Sequence, residues 1–398
     1  MNSAVVTPPR PAASDAVSTA AAPAAVEFHY TQTESFVALL QELGASLLVT
    51  TYQANKLLVV RAHSPLSPLG RGKGEGDGLS TLVRTFERPM GLAADARRLA
   101  VGTRGQVWLL RNAPDIAPRL EPAGRHDACF LPRSCHVTGD IGVHEMAWAH
   151  SPLSHDAGSG VGGEGDELWI VNTRFSCLCT LHPDYSFVPR WRPPFISALA
   201  AEDRCHLNGI VLLDGQPRYV TALGETDTRD GWRPNKASGG CLIDVPTGEI
   251  VARGLCMPHS PRLHEGRLWL LDSGTGQLQF IDPATGRRET VAELPGYTRG
   301  LALLGPYAFV GLSKIRETSA MDGVPLALRR NELKCGVAVV DIRSGSAVAT
   351  LEFQTAVEEI FDVQLLAGPR FPEVIGFQKD EIHHTFIVPT TSPNSPPP

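Results

Sequence analysis

Short apolar runs broken by turn-forming residues fill the chain: SLLVTT (46–51), KLLVVRA (56–62), RLAVGT (98–103), QVWLL (106–110), ELWIV (167–171), GRLWLLD (266–272) and GVAVVDI (336–342). They are aliphatic or β-branched, alternate loosely, and are punctuated by Gly, Asp, Asn and Pro, which predicts many short β-strands. A helical pattern occurs in TQTESFVALLQELG (31–44). There Thr33 is placed to cap, Phe36, Leu39, Leu40 and Leu43 form one face, and Gly44 stops the helix.

The runs repeat. ELWIVNTRFSCLCTLHPD (167–184) aligns without a gap on RLWLLDSGTGQLQFIDPA (267–284). A second phrase precedes each such unit: RPMGLA (88–93), HEMAWA (144–149), HLNGIV (206–211), PHSPRL (258–263), YTRGLA (297–302) and EIFDVQ (359–364). Their spacing, about 40–60 residues, is that of propeller blades. Each phrase then becomes the innermost strand, A, of a four-stranded blade, followed outwards by B, C and D. The expected fold is all-β, a six-bladed β-propeller with a short N-terminal helix. It closes by pairing the chain ends: EEIFDVQLLAG (358–368) supplies strand A of a blade whose other strands come from 46–86. PEVIGF (372–377) fits no blade.

This divides the chain into an Ala/Pro-rich disordered leader (1–26), a helical segment (27–44), the propeller (45–387) and a Pro-rich tail (388–398). Two insertions, 63–80 and 150–167, share HSPLS and then turn to Gly, Asp, Glu and Ser. Such composition builds no core. Strand direction alternates within a blade, so D-to-A and B-to-C connections share one face. The insertions, C-to-D and A-to-B, belong to the other.

Charged and polar residues gather on the first face. Starts of A strands carry Arg88, His144, Glu145, His206, Asn208, His259, Arg299 and Glu359, and ends of B strands carry Arg104, Arg174 and Asp272. Two long B-to-C connections, 223–238 and 313–334, overhang the same channel mouth. DTRDGWRPNK (227–236) offers Arg229, Arg233 and Lys236 to an anion and Trp232 for stacking. The same groups would satisfy one another if Glu225, Asp227 and Asp230 took them as partners. In MPHSPRLHEG (257–266), Arg262 is a further inward-facing anion ligand. A Ser260, His259 and Asp272 triad has no G-x-S-x-G elbow to support it. The predicted ligand set is therefore Arg88, Arg104, Arg174, His206, Trp232, Arg233, Lys236, Arg262 and Arg299. Glu145, Asn208 and His259 have the donor types for one divalent metal ion. They would equally serve as hydrogen-bonding groups in a hydrated channel.

Composition narrows the partners. The net charge of −6 gives no basic field for nucleic acid or an anionic membrane surface, and no apolar run is long enough for a membrane span. The N-terminus lacks the basic start and apolar core of a signal peptide. Eight cysteines without CxxC spacing suit buried thiols and a cytoplasmic location.

Two resemblances follow. HEMAWA…DELWIVNT and HLNGIVLLDGQPRYVTA resemble the metal-bearing strands of regucalcin/gluconolactonase-type six-bladed propellers. That likeness implies Glu145 and Asn208 as metal ligands, with His259 standing where that family has an Asp-Gly pair. GWRPNK…GG, MPHSPR and DELWIVNTRFSCL resemble a bacterial conserved-hypothetical family of propeller-like proteins over most of 30–380, which implies a fold and no activity. Two expectations stand: a module binding a small anionic molecule, a peptide or a protein partner at the channel mouth, or a metal-dependent hydrolase acting on a sugar-acid lactone or related compound.

Overall fold

The computed structural model describes residues 29–62, 78–149, 167–316, 320–376 and 381–388. Six sheets, each built on four antiparallel strands, surround one axis. Innermost strands of blades 1 to 6 are Asp362–Ala367, Leu92–Ala94, Val143–Trp148, Leu207–Leu213, Pro258–His264 and Tyr297–Leu304. All six lie within or overlap the phrases that recur in the sequence. Alternating apolar residues on each strand bury one face against the preceding blade and the other against the next. Blade 6 thus packs Phe309, Val337 and Val339 against Leu47, Val49 and Leu58 of blade 1.

Blade 1 is closed by the two ends of the chain. Asp362–Ala367 pairs with Ala45–Thr51 from Thr50↔Asp362 to Ala45↔Ala367, and Lys56–Ala62 and Leu79–Thr85 complete the sheet. This pairing removes the open edge that an incomplete blade would present.

Two blades carry a fifth strand. Tyr30–Gln32 pairs with Phe353–Leu351 at the outer edge of blade 6, so a strand precedes the helix in the segment read as helical. The helix itself spans Glu34–Leu43, ends at a left-handed Gly44, and buries Phe36, Leu39 and Leu40. Phe36 meets Phe309 edge to face at 6.4 Å. PEVIGF finds its place at the outer edge of blade 2, where Pro372–Val374 runs parallel to Ala128–Val137. There Glu373 lies beside Arg61, Arg84 and His126.

Both low-complexity insertions lie mostly outside the described residues, as do the leader and most of the tail. Cys177 and Cys179 are buried on one strand, and all eight cysteines are free. No helix among the described residues is long and apolar enough to cross a membrane.

Candidate functional site

The D-to-A and B-to-C connections enclose an open cavity of about 580 Å³ at one end of the axis. Tyr52, Arg104, Arg174, Arg229, Arg233 and Arg316 reach it from B-to-C connections, and Arg88, Asp140, Asp203 and Glu359 from D-to-A ones. Of the nine ligand residues expected from sequence, Arg88, Arg104, Arg174, His206, Arg233 and Arg299 line it. Trp232, Lys236 and Arg262 do not.

Trp232 is 1% exposed and sits in an apolar cluster with Leu223, Tyr297, Ile315, Val324 and Leu333. The stacking surface expected of it is covered by this cluster, which joins its loop to the 313–334 connection. Lys236 donates from Nζ to the Ala320 carbonyl at 2.9 Å, fastening the same two loops. Of the expected clamp, Arg229 and Arg233 reach the cavity, and Trp232 and Lys236 do not. The loop's other charges are matched nearby: Asp227 to Arg204 at 2.7 Å, Asp230 to Arg233 at 3.0 Å, and Glu225 to Arg253 at 3.0 Å. Hydrogen bonds from Ser197 and Arg204 hold the Asp227 carboxyl down at about 2.

Arg262 lies deeper, in an axial network. Its Nη2 meets Glu145 Oε1 at 2.5 Å, while Nε donates to the Leu301 carbonyl at 2.8 Å. Burial lowers Arg262, but Glu145 and Asp362 outweigh it and the net shift is upward. Burial raises Glu145 against the pull of Arg262. Glu145 Oε2 accepts from Ile210 N at 2.8 Å. Gly209 stands beside this bond, where a Cβ would fall 3.2 Å from Glu145 Oε2 and, closer still, 2.3 Å from Thr221 Oγ1 and 2.4 Å from Pro261 Cδ. Burial, with the Glu145 charge nearby, pushes Asp362 up to about 7.

These contacts also test the expected metal donors. Asn208 is used at both ends, donating to the Pro258 carbonyl at 2.9 Å and accepting from Thr221 Oγ1 at 2.6 Å. His259 Nδ1 lies 2.8 Å from the Met257 carbonyl. Glu145 already neutralises a guanidinium. These donors are engaged in an internal network, and a divalent ion bound there would have to displace Arg262 and unmake Asn208's bonds. No cluster of three or more His, Cys, Asp or Glu placed to hold a metal occurs among the described residues.

The cavity floor has its own order. Arg88 lies 4.4 Å over the Tyr52 ring, Tyr52 is 5.9 Å from Phe361, and Arg299 lies 3.5 Å over Phe361. Two cations thus rest on one aromatic strip. The other lining guanidiniums are matched by carboxylates: Arg104 and Arg174 with Asp140, Arg229 with Glu202, Arg233 with Asp230, Arg316 with Glu359. Among the described residues, Arg88 and Arg299 have no carboxylate at ion-pair distance, although Glu359, Asp362 and Glu145 lie close enough to favour the Arg299 charge. Arg299 Nε is buried without a hydrogen bond, and burial lowers its pKa.

Arg299 also fixes a histidine. Its Nη2 is 2.6 Å from His144 Nε2, and His144 Nδ1 is 3.1 Å from Thr173 Oγ1, which donates to the Leu207 carbonyl at 2.6 Å. Burial and the Arg299 charge hold His144 well below the usual histidine range, so its ring is neutral. Nε2 then accepts from Arg299, and Nδ1–H donates to Thr173. Tyr52, Phe361 and Asp203 escaped the sequence reading, because nothing local distinguishes an aromatic or an Asp in a connection from one in any turn. Their only legible signal was position, beside D-to-A and B-to-C junctions.

The family model for a domain of unknown function (DUF4915) matches residues 34–375. No curated protein matches the sequence. Among solved structures, a nidogen/laminin complex has a chain similar at 12% identity and TM-score 0.46, covering 82% of this chain and 99% of its own. A protein of unknown function from Bacteroides caccae is similar at 9% identity and TM-score 0.46, covering 81% and 98%.

Proposed function

We propose that this chain, a member of the DUF4915 family, binds a small anionic molecule in its axial cavity through Arg88 and Arg299. The observation that carries the reading is the pair of guanidiniums resting on the Tyr52–Phe361 strip without a carboxylate at ion-pair distance. A guanidinium half-removed from water and unpaired is costly, and an incoming carboxylate or phosphate relieves that cost with charge-assisted hydrogen bonds. A volume of about 580 Å³ falls within the range of small-molecule pockets. A peptide would enter only by a terminus or one side chain.

Calorimetry with inorganic phosphate and with citrate tests this. Arg299→Met and Arg88→Met should each weaken binding about ten- to a hundredfold, the loss of one charge-assisted bond of about 1.5–3 kcal/mol. Arg343→Ala is the control, since Arg343 is 68% exposed and pairs with Asp341 on the outer part of blade 6. Wild-type protein that binds neither anion, or variants that bind as well as wild type, would end the proposal.

A further inference from the structure

Beside the aromatic strip stands a second arrangement that anion binding alone does not use. His206 Nδ1 lies 2.8 Å from Asp203 Oδ2, and the same oxygen accepts from Trp232 Nε1 at 3.2 Å. The imidazole packs on the buried Trp232 with ring centroids 4.5 Å apart and meets the edge of His144 at 4.9 Å. Asp203 is itself held from both sides. Its amide donates to the Arg174 carbonyl at 2.9 Å, and its neighbours Glu202 and Arg204 pair with each other at 2.9 Å. Both Asp203 and His206 have left-handed backbones, φ 48° and 50°. For a histidine that conformation costs free energy and persists only where its surroundings impose it.

The geometry points to a general base: His206, positioned by Asp203, deprotonates water for attack on a carboxylic ester or lactone whose anionic group is held by Arg88 or Arg299. Because Asp203 takes the Nδ1–H, Nε2 is the basic nitrogen left to the cavity that His206 lines. Asp203 is a positioning residue, fixing tautomer and ring orientation as an acid behind a catalytic histidine does. Arg299 donates to His144, whose ring meets His206 at 4.9 Å, so with Arg88 holding the anionic group Arg299 is the cation that would stabilise a developing oxyanion. Nε2 takes a proton from water, and the water oxygen bonds to the acyl carbon while the carbonyl pair moves to its oxygen. That pair returns as the bond to the leaving oxygen breaks, and the leaving alkoxide takes the proton from Nε2. One ester and one water become one acid and one alcohol, with no further reactant.

The inference rests on the anion-binding reading, and one set of assays separates the two. The probe is the mono-4-nitrophenyl ester of terephthalic acid, whose rigid ring supplies a carboxylate that cannot reach its own activated acyl carbon, so that water delivered by a positioned base is the route to hydrolysis. Wild type should hydrolyse it with saturation and with competitive inhibition by phosphate. His206→Gln should lower kcat roughly a hundredfold or more with KM nearly unchanged, by the usual worth of a general base. His206→Ala should regain activity with added imidazole, a response that a merely structural histidine would not give. Asp203→Asn should lower kcat and spare KM, with melting recorded to identify any unfolding. Phosphate binding without ester hydrolysis above buffer, or with a His206→Gln variant as active as wild type, overturns the base and leaves the anion site. Absence of phosphate binding and inhibition overturns both.

Discussion

Trp232 exposes 1% of its surface, whereas the side chain of Arg233 exposes 51%. Residue chemistry alone would assign both to a ligand clamp; burial separates them. Truncating a fully buried indole forfeits its contacts and leaves a cavity between the two long connections. Trp232→Ala should therefore cost about 3–5 kcal/mol in denaturant unfolding. Arg233→Ala loses a solvent-screened pair with Asp230 and a half-exposed contact over the Trp232 ring, and should change stability by about 1 kcal/mol. Equal effects of the two substitutions would contradict the placement of the loop. A weakening of phosphate binding by Arg233→Ala, smaller than that from Arg299→Met, is compatible with its rim position, since its charge is already matched.

At the scale of elements, the three-residue strand Pro372–Val374 contributes little ladder and is held by side chains: Arg61 and Arg84 donate to its Pro372 and Val374 carbonyls, Val374 is buried, and Glu373 supplies the carboxylate. Glu373 is 13% exposed and faces Arg84, Arg61 and His126. Burial alone would raise its carboxyl, but His126, Arg84 and Arg61 more than offset that and hold it low. A neutral Gln would leave buried guanidinium charge uncompensated, so Glu373→Gln should destabilise by about 3–5 kcal/mol. The pH dependence has a definite sign. The folded-state pKa lies below the ordinary value of 4.5, so the stabilisation is complete above that pH. It is lost as pH falls through the folded-state value. Chemical unfolding at pH 7 and at progressively lower pH should show the wild-type margin over Glu373→Gln narrowing in acid. A margin that is constant or widens would mean that the carboxylate is not what holds this strand.

The whole molecule depends on ring closure. Six blades bury their faces only against neighbours, so removing one strand next to the axis exposes both adjoining blades. A chain ending at Thr355 lacks Asp362–Ala367, and with it the ladder from Thr50↔Asp362 to Ala45↔Ala367. It also loses the buried Val363 and Leu366. Such a chain should aggregate or lack a cooperative melt by circular dichroism, because Ala45–Thr51 becomes an open apolar edge. A truncated protein that is soluble and melts like the full chain would show that closure lies elsewhere.

The repeat of apolar strands was legible in the sequence because burial on both faces of a blade demands the same alternation six times, and that demand is local and periodic. Chain-end closure followed from the count of strands, and the face that carries the cavity followed from the alternation of strand direction. Arg88, His206, Arg233 and Arg299 could be placed there by topology alone. Tertiary structure decided which charges were already answered. Whether a guanidinium meets a carboxylate depends on residues far apart in sequence, as with Arg262 and Glu145 or Arg84 and Glu373. Only packing between two loops made Trp232 a core residue. Tyr52 and Phe361 flank one ladder of blade 1, and Asp203 and His206 share one connection, but only the convergence of blades brings Arg88 and Arg299 over that strip and His144 against His206, and no periodicity along one chain encodes a meeting around an axis.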